Sequence, residues 1–333
     1  MKKVLVIGAT GAMGRYLVPE LVSLGYEVTG VGLDAAPPWG GPASYVRGDA
    51  FDKGFLEGLL AHGFDGIVNF MDYGGHPFSG YYRLFLDHTS HYIFLSSCRV
   101  YDDKEQPVRE TSPRLLDSSE DEVLKASNDY CIQKARNEDL LAASDYGNWT
   151  IVRPATTFST MRLQLVTLEF ADGVGRALMG KKVVLPVQAA DKPATLCWGG
   201  DVAKMIARIL FREEAKRECY NVCSAEHRTW SEIAGYYHEL LGLEPVWVDK
   251  EDYLAILSPE KALNVRWQLE YARLFRRVTD NSKVLALTGL SQDDMIPMFE
   301  GLKKEIGNIP EDYVPRDTPV GLRMDEYLKK NGL

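Results

Sequence analysis

The sequence predicts an α/β fold built on a doubly wound parallel β-sheet with helices on both faces. Short apolar segments rich in β-branched residues alternate with amphipathic segments through the first half of the chain. A glycine-rich turn follows the first apolar segment and precedes a segment with helical spacing of apolar residues. Strands that alternate with helices in this order form parallel sheets with right-handed crossovers.

The first strand, turn and helix are predicted at the amino terminus. Val4–Ile7 is a continuous apolar run, as in a strand buried on both faces, and Arg15–Val22 has helical spacing. The turn between them, Gly8–Gly14, has a glycine at every third position. Such glycines let backbone amides approach a pyrophosphate, and the N-terminus of the next helix adds a partial positive charge. The segment predicts a dinucleotide site, the alternative being an ordinary strand-to-helix turn.

The remaining strands follow at intervals that leave room for helices. Strands are predicted at residues 27–31, 66–70, 92–97 and 219–223. Residues 45–49 and 152–154 are predicted to be the last residues of two others. Ligands of open parallel sheets bind beyond the carboxyl ends of the strands. Ser97, at the end of the fifth strand, is therefore expected to face a ligand cleft.

Tyr130 and Lys134 form a candidate proton-transfer pair. Their spacing places them one turn apart on the same helix face. A phenol, with an unperturbed pKa of about 10, is a poor base at neutral pH, and a neighbouring ammonium favours the phenolate. Taken alone, the pair more often belongs to a solvated helix face, so its interpretation as a proton-transfer pair depends on the dinucleotide turn upstream.

The composition argues against several classes of function. The 333 residues carry a formal net charge of −9, which disfavours nucleic acid as a partner. Five cysteines and six histidines form neither a disulfide framework nor a zinc-type cluster. The apolar run after Lys2 and Lys3 is interrupted by Gly8, and no segment has the length of a membrane span. We therefore expect a cytoplasmic protein that uses no metal and contacts no membrane.

Several short motifs occur in order between the amino terminus and residue 283. They are the glycine turn, Gly48–Asp52 (G-D-x-x-D), Ser96–Tyr101 (S-S-x-x-V-Y), Tyr130 with Lys134 (Y-x-x-x-K), Val152–Pro154 (R-P), Trp198–Ala203 (D-V-A), Tyr220–Val222 (Y-N-V) and Asp280–Lys283 (D-x-S-K). In this order and spacing the chain resembles the extended short-chain dehydrogenase/reductases of the NAD-dependent epimerase/dehydratase family. The resemblance implies a Rossmann-type sheet, a nicotinamide cofactor and hydride transfer.

The resemblance also implies roles for individual residues. Tyr130 becomes the general acid/base on a substrate hydroxyl or carbonyl, Lys134 lowers its pKa and holds the nicotinamide ribose, and Ser97 hydrogen-bonds the reacting oxygen. Thr156 and Arg277, with Ser97, are expected at the substrate, the arginine on a diphosphate. A turn hydroxyl and a solvated arginine are the respective alternatives. Cofactor contacts are expected from Gly8, Thr10, Gly11, Ala12, Met13, Gly14, Asp34, Asp49, Ala50, Phe70, Met71, Tyr130, Lys134, Pro154 and Ala155.

The expected cofactor is NAD, with NADP as an alternative. NAD selectivity usually rests on a carboxylate at the end of the second strand, bonded to the ribose 2′-hydroxyl. The family's acidic position falls on Gly32, so Asp34 serves only if the strand extends by two residues, and otherwise it caps a turn. Arg15 is the main local candidate for a 2′-phosphate, because residues 16–46 contain no lysine or arginine.

Three segments depart from the family pattern. Residues 70–73 are bulky where the family has small residues, which predicts a narrower nicotinamide side of the cleft. The aromatic run at 81–86 is interpreted as packing or as a dimer face. Cys98 and Arg99 replace the Asp-Glu pair of the 4,6-dehydratases, which argues against a dehydration reaction.

These observations combine into one hypothesis with two alternatives. A dinucleotide-binding domain is expected at residues 1–155, with returning segments near 196–225, and a smaller interleaved C-terminal substrate lobe at 156–195 and 226–333. The predicted function is NAD-dependent epimerisation or oxidoreduction of a nucleotide-linked sugar. The alternatives are NAD(P)-dependent reduction of a small carbonyl compound and a non-catalytic nucleotide-binding regulatory or RNA-associated role. A homodimer is expected, because a two-helix dimer face is usual among proteins that this chain resembles.

Overall fold

Strands and helices alternate through the first half of the chain, as the sequence predicts. The computed structural model describes residues 1–35 and 37–333. In these ranges the strands β1 to β13 are Lys3–Ile7, Glu27–Gly32, Ala43–Arg47, Gly66–Asn69, His91–Leu95, Trp149–Pro154, Thr156–Phe158, Val183–Pro186, Pro193–Ala194, Leu196–Trp198, Glu218–Val222, Arg228–Thr229 and Pro245–Val248.

The helices cover the sheet and build most of the second half. The α-helices α1 to α14 are Gly14–Ser23, Lys53–Leu60, Tyr82–Asp87, Leu115–Ser118, Glu122–Ala126, Tyr130–Ala142, Val174–Leu178, Gly199–Ile209, Trp230–Leu241, Lys250–Leu257, Leu263–Gln268, Ser282–Thr288, Met298–Gly307 and Pro319–Asn331. Short 3₁₀ helices lie at Phe78–Gly80, Cys98–Val100, Val187–Ala189, Glu213–Ala215 and Gln292–Asp294, and a π-helical turn at Leu269–Arg273. None of the helices in the described ranges is long and apolar enough to cross a membrane.

The central sheet has seven parallel strands in the order β11-β6-β5-β4-β1-β2-β3. The order of the strands reverses between β1 and β4, where Ile7 lies beside Asn69. Doubly wound sheets bind ligands in the crevice at this switch point. The predicted doubly wound, Rossmann-type fold is confirmed. The third and fifth strands end two residues earlier than expected, and Ser97 lies in extended backbone between β5 and a 3₁₀ helix, which it caps.

Residues of β1 alternate between two apolar layers, as the two-residue period of a strand requires. Val4 and Val6 pack with α1, α8 and α12 on one face, whereas Leu5 and Ile7 pack with α2 and α3 on the other. The aromatic run of residues 81–86 contributes to the second layer, where Tyr81, Tyr82, Phe85 and Leu86 are all buried. The run is therefore packing within the chain.

A third apolar core belongs to the C-terminal part of the chain. Trp230, Tyr237 and Tyr253 are buried there together with residues of β8, α9, α13 and α14. This part is joined to the sheet by the fully buried carboxylate of Glu305 on α13. Its oxygens accept hydrogen bonds from the Tyr16 hydroxyl of α1 (2.7 Å) and, in the neighbouring segment, from Thr160 (2.6 Å) and the Trp198 indole (2.5 Å).

A buried ion pair fixes α6 to the central sheet. Arg153 on β6 donates from Nε and Nη2 to the two carboxylate oxygens of Glu138 at 2.8 and 2.6 Å. Arg153 also donates to the Tyr101 hydroxyl at 2.7 Å. Bidentate arginine–carboxylate pairs restrict both partners in orientation. The R-P motif therefore has a structural role, which is to hold the helix that begins with Tyr130.

Candidate active site

The glycine turn forms a close-packed cradle at the switch point of the sheet. Gly8 has φ of +79°, a left-handed conformation that favours glycine. A Cβ atom on Gly14 would lie 2.3 Å from the carbonyl oxygen of Gly8, so a side chain there would separate α1 from the turn. The N-terminus of α1 directly follows this turn and borders the cleft. Free amides and the helix dipole at this point suit a pyrophosphate, so the residues present fit a dinucleotide.

Asp34 lies next to the glycine turn, just past the end of β2. Its carboxylate accepts a hydrogen bond from Thr10 Oγ1 at 2.5 Å, and its main-chain carbonyl accepts one from the Tyr45 hydroxyl at 3.0 Å. Arg47 is also close, because its Nε donates to the carbonyl of Leu33 at 2.8 Å. Both an acidic and a basic side chain therefore flank the region expected to hold the adenosine ribose, and Arg47 directly follows residues 16–46, which contain no lysine or arginine.

Tyr130 and Lys134 lie on the first two turns of α6. Asp129 precedes the helix, and its carboxylate accepts a hydrogen bond from the amide of Cys131 at 3.1 Å, as an N-cap does. The Lys134 ammonium is buried and donates to the main-chain carbonyls of Leu95 at 2.9 Å and Met71 at 3.1 Å. Burial lowers the pKa of Lys134 to about 8, although the negative charge of Asp72 opposes the shift.

Burial raises the pKa of Tyr130, and the negative charge of Asp72 raises it further. Arg99 and a hydrogen bond with Ser97 act in the opposite direction. The Lys134 ammonium is bonded to main-chain carbonyls and lies 5.5 Å from the centre of the phenol ring. The pKa of Tyr130 is raised overall, and its lowering by Lys134 stays a prediction. At neutral pH, Tyr130 is a protonated phenol that can act as an acid.

The buried Lys134 gives the stability of the protein a specific dependence on pH. Folding lowers its pKa from 10.5 to about 8, so between these values the unfolded chain binds more protons than the folded chain. Its contribution to the free energy of unfolding is therefore lost as the pH falls through 8 and is complete above 10.5. We expect the stability difference between the protein and a Lys134→Met variant to change by up to about 3 kcal/mol across this range. Urea unfolding at several pH values measures the difference, and a constant difference would contradict the expectation.

One cleft of about 410 Å³ brings together most of the residues that the sequence singles out. Ser97 and Tyr130 meet the glycine turn in this cleft, at the carboxyl ends of β1, β4 and β5. The predicted residues on its wall are Gly8, Gly11, Ala12, Met13, Gly14, Phe70, Ser97, Tyr130, Lys134, Pro154, Ala155 and Thr156. Phe70 lies on the wall next to Gly8, where the two chain segments approach so closely that a Cβ on Gly8 would lie 3.1 Å from that of Phe70.

Other predicted residues lie off this wall and remain predictions. Asp49 accepts a hydrogen bond from the amide of Phe51 at 2.9 Å, and Ala50 is buried beside it. Met71 contributes the carbonyl that Lys134 binds. The Arg277 guanidinium is buried against main-chain carbonyls, including that of Tyr101 at 2.9 Å.

Several polar residues of the cleft were not among those predicted from the sequence. Asp72 and Arg99 were recognised only as departures from a pattern, although each borders Tyr130. The others come from segments with no recognisable motif and are Arg162, Gln164, Glu169, Gln268 and Arg273. Arg273 takes the place on the cleft wall that was expected for Arg277. The basic run at 271–277 was a usable signal, but its spacing does not show that Arg273, at the end of the π-helical turn, is the arginine on the cleft wall.

Comparison with solved structures supports the fold. An epimerase from Methanothermobacter thermautotrophicus shares 16% identity over 92% of both chains, with a TM-score of 0.72. A UDP-glucose 4-epimerase from Thermus thermophilus, solved with NAD, shares 18% over 93% of this chain and 100% of its own, with a TM-score of 0.67. The UDP-glucose 4-epimerase from Thermotoga maritima, solved with UDP-glucose, shares 18% over 92% of this chain and 97% of its own, with a TM-score of 0.68.

Comparison at the level of sequence identifies the cofactor-binding half. No curated protein matches the chain. Residues 8–174, about half of the chain, match a family model described as NAD(P)H-binding, and this range contains the glycine turn, Ser97, Tyr130 and Lys134. The expected nicotinamide cofactor is thereby confirmed at the level of NAD(P). The chain belongs to the NAD(P)H-binding family and has the fold of the extended short-chain dehydrogenase/reductases.

Proposed function

We propose that the protein is an NAD-dependent epimerase or oxidoreductase that acts on a nucleotide-linked sugar, with Tyr130 as its acid/base. The observation that carries this proposal is the meeting of Ser97, Tyr130 and Lys134 with the glycine turn in one cleft. The solved structures of similar fold include UDP-glucose 4-epimerases. The cleft also extends beyond Tyr130 towards Thr156 and Arg273, which leaves room for a substrate next to the cofactor.

Each of the three residues has a chemical task in this proposal. The nicotinamide, when bound, supplies or accepts the hydride. Tyr130 removes the proton of a substrate hydroxyl during oxidation and returns a proton to the carbonyl oxygen during reduction. Ser97 hydrogen-bonds the same oxygen and orients it towards the phenol. Lys134 orients Tyr130 from the next turn of the helix. Its ammonium can replace a hydrogen bond to a main-chain carbonyl with one to a ribose hydroxyl.

A second candidate is an NAD(P)-dependent reductase of a small carbonyl compound. The raised pKa of Tyr130 favours it, because a phenol that stays protonated at neutral pH is ready to donate to a carbonyl oxygen. An epimerase needs both directions, since it oxidises its substrate and then reduces the intermediate on the other face. The two candidates therefore differ in whether cofactor is consumed.

Calorimetric titration with NAD, NADP and a panel of UDP-sugars tests the proposal. Binding of a UDP-sugar to the NAD-loaded protein, followed by isomerisation without net cofactor consumption, is the expected result. Failure of every nucleotide sugar to bind would overturn the epimerase proposal. Stoichiometric oxidation of NADPH or NADH with a small carbonyl compound would favour the reductase. Binding of cofactor without any turnover would favour a non-catalytic role.

Substitution of Asp34 tests the preference for NAD. We expect Asp34→Asn to weaken NAD about tenfold, because a charge-assisted hydrogen bond to the 2′-hydroxyl is lost. NADP should bind more tightly to the variant than to the parent protein, since repulsion of the 2′-phosphate is removed while Arg47 remains nearby. Asp145→Asn, at an exposed position after α6, is the matched control for the change in charge. Unchanged NAD affinity in Asp34→Asn would assign Asp34 to capping the turn alone.

Assembly and location remain part of the proposal. We propose a small-molecule substrate as the principal partner, a cytoplasmic location and a homodimer. The buried aromatic run at 81–86 does not offer a dimer face, so another surface would have to provide it. Size-exclusion chromatography with light scattering measures the assembly directly.

A further inference from the structure

The cleft wall beyond Tyr130 contains a buried guanidinium that is bonded only to neutral groups. Arg273 is 7% exposed and lines the cleft. Its nitrogens donate to the carbonyl of Val166 at 2.7 Å, to Thr156 Oγ1 at 3.1 Å and to Gln164 Oε1 at 3.4 Å. Among the described residues, no carboxylate is within salt-bridge distance of Arg273. Buried cations normally have an anionic partner, because an unpaired charge costs several kcal/mol to desolvate.

Arg99 brings a second guanidinium to the same wall. Its Nη2 pairs with Asp129 at 3.3 Å, but its Nε is buried and has no hydrogen-bond partner among residues 1–35 and 37–333. Its guanidinium carbon lies 5.2 Å from the centre of the Tyr130 ring. Arg99 therefore has an unused donor close to the point where the proposed reaction takes place.

The two arginines repel each other in this arrangement. The pKa of Arg273 is lowered to about 10, first by burial and next by the positive charge of Arg99. Burial also lowers the pKa of Arg277, which lines a small cavity together with Arg99 and Arg273. An anion placed between Arg99 and Arg273 would relieve this repulsion and use the free Nε donor.

The backbone that holds Arg273 is unusual at two points. Arg273 ends the π-helical turn Leu269–Arg273, a form that is rare and often found at functional sites. Val166, whose carbonyl accepts a hydrogen bond from Arg273, has φ of 54°, which is an unfavourable conformation for a residue with a β-branched side chain. Strain of this kind persists only where the surrounding structure imposes it. The position of Arg273 is therefore built into the fold and is not that of a mobile surface arginine.

We propose that Arg99 and Arg273 bind a substrate carboxylate located on the carbon next to the one that reacts at Tyr130. This inference rests on the proposed function and narrows its substrate class to an acidic sugar or related hydroxy acid. Arginine suits a carboxylate because its planar fork can donate two parallel hydrogen bonds. The diphosphate of a nucleotide sugar is a less suitable occupant, since the sugar ring separates it from the reacting carbon whereas Arg99 lies against Tyr130 itself.

Titration of the NAD-loaded protein with UDP-glucuronate and UDP-glucose tests the proposal. UDP-glucuronate has a carboxylate on the sugar carbon next to C4, and UDP-glucose has a hydroxymethyl group at the same place. We expect UDP-glucuronate to bind at least about tenfold more tightly, as a charge-assisted contact implies. Arg99→Gln and Arg273→Gln should each remove this preference, and Arg99→Lys should restore part of it relative to Arg99→Gln. Arg276→Gln is the matched control, since Arg276 is exposed and pairs with Asp103 outside the cleft.

The titrations separate this inference from the proposed function. Equal affinity for the two ligands in the unsubstituted protein would overturn the carboxylate site and leave the nucleotide-sugar proposal standing. Arg99-dependent binding of gluconate, without binding of either UDP-sugar, would support the carboxylate site and overturn the nucleotide-sugar proposal. Failure of all three ligands would overturn both. NAD affinity and thermal unfolding of each variant report whether it has folded, and Arg99→Gln suffices if Arg273→Gln does not fold.

Discussion

Tyr130→Phe is expected to lower turnover by about 10²- to 10⁴-fold while leaving the affinity for NAD nearly unchanged. The substitution removes only the phenolic oxygen, which is the group that exchanges a proton with the substrate in the proposed reaction. The ring that Arg99 and Lys134 approach at 5.2 and 5.5 Å remains in place. Initial rates with a substrate found in the titrations, together with calorimetry for NAD, measure the two quantities separately.

A second tyrosine provides the control for this experiment. Tyr146 donates its hydroxyl to Asp87 at 2.5 Å and does not line the cleft. Tyr146→Phe should therefore retain the turnover of the parent protein. If Tyr130→Phe also retained it, Tyr130 would have no part in proton transfer, and a non-catalytic role for the cleft would gain support.

Glu138→Gln is expected to lower the free energy of unfolding by about 3–5 kcal/mol. Glu138 is 2% exposed and accepts two hydrogen bonds from Arg153, and its Oε2 lies 3.2 Å from Nη1 of Arg114. Loss of its negative charge would leave Arg153 buried without its anionic partner. The neutral amide would also direct one NH₂ group at the guanidiniums. Urea unfolding of the variant gives the change directly.

The adjacent residue offers a matched comparison. Asp139 also pairs with Arg114, at 2.8 Å, but its side chain is 51% exposed. An exposed ion pair is screened by water, so Asp139→Asn should cost no more than about 1 kcal/mol. Similar losses for the two variants would show that burial does not decide the strength of the Glu138 contacts. Because α6 also carries Tyr130, we expect Glu138→Gln to lose activity before it unfolds completely.

The parts of the fold that follow from local sequence could be predicted. The apolar runs place β1, β2, β4 and β5 within a few residues, because buried parallel strands leave a continuous pattern. The glycine turn was recognisable because the steric need at Gly14 is met by a single residue type. Ser97, Tyr130 and Lys134 could be brought into one site only through the resemblance, since no local pattern joins β5 to α6.

The remainder of the cleft depends on contacts between distant segments. Arg273 donates to Thr156, which is 117 residues away, and no periodicity connects the two. Arg273, and not Arg277, lines the cleft, and it ends a π-helical turn that was not predicted from the sequence. The raised pKa of Tyr130 likewise results from burial and from the negative charge of Asp72. Neither cause can be inferred from the spacing of Tyr130 and Lys134.

The buried carboxylate of Glu305 has a consequence for how the cleft admits a ligand. It joins α1, beneath the glycine turn, to Thr160 and Trp198 in the segments that lead to the substrate side. A hinge opening between these parts would have to break hydrogen bonds that this carboxylate makes at 2.5–2.7 Å to groups on both sides, which is costly. We expect entry to depend instead on exposed side chains at the mouth, such as Arg162 and Glu169, because rotations of exposed side chains take picoseconds to nanoseconds. We therefore expect the admission of substrate to be a fast local event and not the slow step of a closing domain.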